Sequence, residues 1–116
     1  MAIIPVNRVS FEEVEELFNS LSVQKIQMIS NIFKGLAHPL RLHIIKLLLR
    51  HEALTVTDLL EHMRVEQSLL SHHLAILRRI GVLESHKQGR NFFYRIREPR
   101  IIELLSCMAN CTCLND

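Results

Sequence analysis

The stretch TDLLEHM-RVE-QSLLSHHLAILRR (57–79), continued by IGVLESHKQGRNFFYRI (80–96), decides the fold. Thr57 offers a hydroxyl cap for a short helix through Met63, with Leu59, Leu60 and Met63 turned inward. Arg64-Val65-Glu66 then makes a turn. In Gln67–Arg79, Leu70, Leu74 and Leu77 recur at helical spacing and define a buried side, leaving Ser68, Ser71, His72, Ala75, Arg78 and Arg79 outward. Gly81 suits the left-handed residue that ends such a helix. Residues 82–86 and Asn91–Ile96 read as strands, the second alternating Phe92, Tyr94 and Ile96 onto one face, around the turn Lys87-Gln88-Gly89-Arg90. Helix, turn, polar-faced helix and basic hairpin, in that order, describe a winged helix-turn-helix. Its second helix would enter a major groove and its hairpin would reach phosphates.

Upstream, Ser10 and Glu13 form a capping-box pattern, and Phe11, Val14, Leu17, Phe18 and Leu21 follow at helical spacing. The apolar pattern runs on through Val23, Ile26, Ile29, Ile32 and Phe33 to about Leu36, with Asn19, Ser20 and Ser22 placed to interrupt or bend it. That is more apolar surface than a small core needs, and it predicts pairing with a second subunit. Pro39 opens a scaffold helix with Leu40, Ile44, Leu47 and Leu48 on its buried face. Downstream, a helix from about Pro99 carries Ile101, Ile102, Leu104, Leu105 and Met108, again wide enough for an interface. The expected fold is therefore mainly α with a small β-hairpin wing, dimerising through its first and last helices. We expect one domain over 1–116: helix-turn-helix 57–79, wing 82–96, and a C-terminal dimerisation helix with a thiol cluster, 99–113.

Composition agrees. A chain of 116 residues that is 48% hydrophobic, with three glycines and three prolines, has room for one core and no evident linker. Residues 1–8 lack the pattern of a signal peptide and no apolar run matches a bilayer, so a cytoplasmic protein without membrane contact is expected. The net charge of +2 says little, but its distribution says more. Glu12, Glu13, Glu15 and Glu16 make the start acidic, whereas Arg78, Arg79, Lys87, Arg90, Arg95, Arg97 and Arg100 make the later half basic, where phosphates would bind. There is no Gly-rich phosphate loop, nucleophile elbow or acid pair in an evident cleft, so an enzyme is not expected.

A recognition helix needs short polar side chains near its start, because these approach base edges without holding the backbone away. Gln67, Ser68, Ser71 and His72 meet that need. Gln67 suits an adenine edge, the serines suit bases or phosphates, and Leu69, if exposed, suits a thymine methyl. With Arg78 on the same outward side and Lys87 and Arg90 on the hairpin, they form the candidate DNA-binding set. Taken singly, each is more often an ordinary solvated residue; taken together in this order, they point to double-stranded DNA. The rival reading is a winged helix that docks protein through Leu69 and the hairpin.

The segments KGLAHPLRL (34–42), QSLLSHHL (67–74), LRRIGVL (77–83) and Gly89-Arg90 followed by Tyr94 resemble the ArsR/SmtB family of metal- and stress-responsive repressors, over roughly residues 33–96. The resemblance implies a homodimeric winged-helix repressor that is released from a near-palindromic operator by a small inducer. Its first and last helices would pair and set the two recognition helices roughly 34 Å apart. Two positions depart from the pattern. Arg64 stands where the family often has glycine, so its backbone must avoid or tolerate a left-handed conformation. Glu66 replaces the usual Ser, Thr or Asp cap, and its charge beside the groove either repels phosphate or points away.

Thr55-Val56-Thr57 replaces a Cys-x-Cys metal pair of some relatives, and Arg100 stands where another family site has a ligand histidine, with Glu98 beside it. His38, His43, His51, His62, His72, His73 and His86 are scattered without a zinc motif; His73 is expected along the buried edge of its helix, His38 at the turn before Pro39, and Arg41 bracing that turn or touching phosphate. The remaining thiols are Cys107, Cys111 and Cys113. Cys107 and Cys111 share a helical face, whereas Cys113 in an unbroken helix would point about 200° from Cys111. Binding by all three requires the helix to end near Asn110, or a thiolate from the other subunit. Three thiolates without a fourth ligand suit As(III) or Sb(III) as inducer. A thiol switch worked by oxidants or reactive sulfur, with Cys107 and Cys111 within disulfide reach across one helical turn, is the second reading, and a repressor without metal sensing, its cysteines inert, is the third.

Overall fold

The computed structural model describes residues 10–114; the stretch 1–8, expected to lack a signal peptide, lies outside them. By internal contacts the chain divides into two compact units, Met1–Ile32 and Phe33–Asp116, the division falling inside a helix.

In the first unit, α1 (Phe11–Asn19) starts with the expected box: the Ser10 hydroxyl accepts from the Glu13 N–H at 3.2 Å, and the Glu13 carboxylate accepts from the Ser10 N–H at 3.0 Å. The helix breaks at the polar trio. Ser20 Oγ donates to the Leu17 carbonyl at 2.7 Å, while Ser22 Oγ accepts from the Lys25 N–H at 3.1 Å and starts α2 (Val23–Leu36). Local hydroxyl bonds thus close one helix and open the next, which makes the interruption a break rather than a bend.

The second unit opens with the end of α2 and then α3 (Pro39–His51), capped by His38, whose Nδ1 accepts from the Leu40 N–H at 3.1 Å. Ile44, Ile45 and Leu48 are its buried residues, while Leu40 and Leu47 are half-buried. After α3, Glu52 takes φ 61° and ψ −58°, and the Ala53 N–H bonds the His51 carbonyl at 2.6 Å. This is a γ-turn of the strained hand. It leads into β1 (Leu54–Thr55), so the stretch 51–56, expected as a loop, contains a strand.

Thr55, not Thr57, caps the next helix, α4 (Val56–His62). Its hydroxyl accepts from the Asp58 N–H at 3.1 Å and the Asp58 carboxylate accepts from the Thr55 N–H at 2.9 Å. Hydrogen bonding to the carboxylate from the Thr55 backbone first, and then from its side chain, holds the Asp58 carboxyl below the usual carboxylate range. After the turn comes α5 (Gln67–Arg79), burying Leu70, His73, Leu74 and Leu77, with Gly81 at φ 81° beyond it. β2 (Leu83–Gln88) and β3 (Asn91–Ile96) form the wing, and β1 joins on the far side of β3 in the antiparallel order β1-β3-β2. Gln88 pairs with Asn91, so the expected four-residue turn shrinks to Gly89-Arg90. Tyr94 and Ile96 are half-buried, but Phe92, two residues from the tip, is exposed. The unit ends with α6 (Arg100–Ala109) and a 3₁₀ turn, Thr112–Leu114. The architecture is a mainly helical winged helix with a small antiparallel sheet.

Candidate nucleic-acid interface

α5 is anchored from below by leucines and open above. Gln67, Ser68, Leu69, Ser71, His72, Ala75, Arg78 and Arg79 are all exposed, Leu69 at 42%. Among the described residues, Gln67, Ser68, Ser71 and His72 make no side-chain hydrogen bond within the chain, which leaves their donors and acceptors uncommitted. Glu66 precedes the helix exposed and without a capping bond, so its carboxylate is not absorbed by the helix amides. Arg64 stays out of the left-handed region; among the described non-glycine residues only Glu52 has positive φ.

The helix is held from its inner side by a polar contact. Arg41 of α3 donates to His73 Nδ1 at 3.1 Å and to the Gly35 carbonyl at 3.0 Å. Of the two roles open to Arg41, it has the bracing one.

The wing is a two-residue turn with glycine first, at φ 65°, and nothing lies within 4 Å of where a Gly89 Cβ would stand. Lys87 and Arg90 are exposed beside it, the Lys87 ammonium 6.0 Å from the centre of the Phe92 ring. Between helix and wing runs an open cleft of about 650 Å³, lined by Ala75, Arg78 and Arg79 of α5, Leu83, Glu84 and Ser85 of β2, and Arg97. Glu84 is paired across the strands with Arg95. Arg79 was legible as an outward residue of α5 and Arg97 as part of the basic second half, but neither as a cleft residue, because their meeting depends on where the hairpin returns.

The thiols sit elsewhere. α6 ends with Asn110 as its C-cap, so the chain turns before Cys111. The Cys113 N–H donates to Cys111 Sγ at 3.4 Å. Hydrogen bonds from the Cys113 side chain and backbone hold the Cys111 thiol below the usual range, and the same pairing pushes Cys113 up. Cys107 is exposed on α6 and Cys111 half-buried. Among the described residues no three His, Cys, Asp or Glu side chains stand together as a metal-holding group. The Glu98 carboxylate accepts from the Arg100 N–H at 3.2 Å, at the start of α6.

Residues 38–85 match the model of the arsR family of bacterial regulatory proteins. The transcriptional repressor PagR of Bacillus anthracis is 38% identical over 80 residues, which is 66% of this chain and 80% of that protein. The chain belongs to the arsR family. The crystal structure of PagR superposes with a TM-score of 0.68 at 30% identity, covering 75% of this chain and 99% of that one. HlyU from Vibrio cholerae gives 0.68 at 27% identity over 79% of this chain and 99% of its own. The cadmium resistance regulatory protein CadC of Listeria innocua is 33% identical over 82 residues, 71% of this chain and 69% of that protein. This arsR-family chain is a DNA-binding transcriptional repressor with a winged helix-turn-helix, not an enzyme. Among the described residues no helix is long and apolar enough to cross a membrane.

Proposed function

We propose that the chain acts as a homodimer that lays α5 of each copy into successive major grooves of its operator. Gln67, Ser68, Leu69, Ser71 and His72 read base edges, and Arg78, Lys87 and Arg90 bind phosphate. The observation that carries this reading is the outward row of α5, exposed, polar but for Leu69, and among the described residues without side-chain hydrogen bonds. Arg79 and Arg97, lining the cleft beside Arg78, extend the phosphate-binding set.

The inducer is directed at thiols, with arsenite or antimonite first. Cys111 and Cys113 approach each other just beyond the end of α6, and Cys107 stands four positions before Cys111, on the helix itself. Each thiol gives its proton to a hydroxide of As(OH)₃; water leaves and a sulfur–arsenic bond forms, without change of oxidation state. The third sulfur comes from Cys107 after rearrangement or from a second subunit. The similarity to a cadmium resistance regulator supports a soft-metal inducer. The likeness to reduced HlyU from Vibrio cholerae, 28% identical with a TM-score of 0.66, supports the second reading, a thiol switch. In that reading a peroxide takes two electrons and two protons from Cys111 and Cys113, leaving a disulfide and water.

The test is titration of reduced protein with sodium arsenite, following sulfur–arsenic absorption and release of a duplex taken from upstream of its own coding sequence. Binding with release, lost in Cys111→Ser and Cys113→Ser, is expected. Binding without release, or no binding, rejects the arsenite inducer; release by peroxide alone selects the disulfide.

A further inference from the structure

Under the outward row of α5, one polar side chain sits among the leucines. His73 is 4% exposed. Arg41 Nε donates to its Nδ1 at 3.1 Å while Arg41 Nη1 donates to the Gly35 carbonyl at 3.0 Å, so one guanidinium joins the last turn of α2, α3 and α5. Because Nδ1 accepts, the imidazole is neutral and carries its proton on Nε2. The last turn of α2 also touches the end of α5 directly: a Cβ on Gly35 would fall 2.6 Å from Ile80 Cδ1, at the C-cap of α5.

We propose that Arg41 and His73 form a proton-sensitive latch that seats the recognition helix, so that operator binding requires the neutral histidine and is lost on acidification. The inference rests on α5 being the DNA reader. Arg41 is then a positioning residue, acting on DNA through α5.

The groups that act on His73 are His38 and Arg41 from α3 and its cap, with ring centres of the two histidines 4.4 Å apart, and His72 from α5 itself, at 5.4 Å. None is acidic. A proton on Nδ1 would turn the acceptor into a donor facing another donor, and set two cations against each other at a site that is buried on the His73 side and half-buried on the Arg41 side. Arg41 must then swing away, which also frees the Gly35 carbonyl, or α5 must shift. Burial first, then the charges of His38, Arg41 and His72, already hold this imidazole below its ordinary value of 6.5. The unfolded chain therefore takes up the proton more readily than the folded one. The latch is intact above pH 6.5 and is lost as pH falls through the lower folded value. His72, on the open face of α5, is retained in every protein compared, so its own contribution to DNA binding cancels.

Anisotropy titrations with the upstream duplex and a scrambled duplex, from about pH 8 to about pH 5, test the latch. In His73→Asn, Oδ1 stands where Nδ1 accepted and takes up no proton. Wild type should lose about tenfold or more affinity on acidification relative to this variant, and Arg41→Gln should lose about tenfold at neutral pH, as for a charge-assisted bond. Parallel pH profiles for wild type and His73→Asn overturn the proposal. Nitrogen NMR of the imidazoles in free wild-type protein is a second readout that needs neither DNA nor a folded variant. An unprotonated Nδ1 is expected, and a protonated one at neutral pH overturns the latch. Equal affinity of wild type for both duplexes would instead remove the DNA reading, leaving the NMR result to stand separately.

Discussion

Thr55 and Thr57 offer the same hydroxyl two positions apart, and only Thr55 caps α4. The choice is made three residues downstream, where Asp58 can return the bond to the Thr55 N–H and complete a reciprocal pair; Thr57 has Leu60 at that distance. A hydroxyl judged without its partner points to Thr57; the partner decides for Thr55. Thr55→Ala should therefore destabilise the fold by about 1 kcal/mol, seen as a lower urea midpoint with unchanged slope, while Thr57→Ala leaves the midpoint in place. His38 and His73 show the other side of residue-scale reading. Their places, one before Pro39 and one on the buried edge of α5, were legible from spacing, but their 4.4 Å approach and the shared Arg41 were not, since those come from how α3 crosses α5.

At the scale of elements, legibility followed length. α5 was read with its bounds because Leu70, Leu74 and Leu77 repeat over a long helix. β1 has two residues, Leu54 and Thr55, too few to show an alternation, and it exists because β3 presents Phe93 and Tyr94 to pair with them. The hairpin was read in place but with too wide a turn, since nothing local shows that Lys87 and Gln88 continue the ladder opposite Phe92 and Asn91. This narrow turn matters to the wing's role, because it presents Arg90 exposed at the tip. Arg90→Ala should weaken binding to the upstream duplex and lower the slope of log affinity against log salt by about 1 for each contact removed. An unchanged slope would take the wing out of the interface.

For the whole molecule, the apolar residues left outside matter as much as those within. Phe11 is 78% exposed, Leu17 59% and Phe18 57% on a helix with no buried residue, and Met108 of α6 is 49% exposed. Each of these apolar faces was legible in the sequence as an excess over what one core requires, and a second copy of the chain is the proposed cover for each. If so, Phe18→Glu should give a monomer by sedimentation, remove the concentration dependence of the melting temperature and abolish cooperative operator binding. A wild type that sediments as a monomer at micromolar concentration would dismiss the dimer.

The γ-turn at Glu52 has a consequence for how this chain can vary in length. With Ala53 it makes the corner between the end of α3 and a strand of two residues, the second of which is the capping threonine. Inserting or deleting a single residue there would slip β1 by one place against β3 and rotate Leu54 out of the interior, while the Thr55–Asp58 pair, three residues apart, moves as a unit. Loops usually absorb such changes in spacing; this corner would pass them directly to the helix-turn-helix.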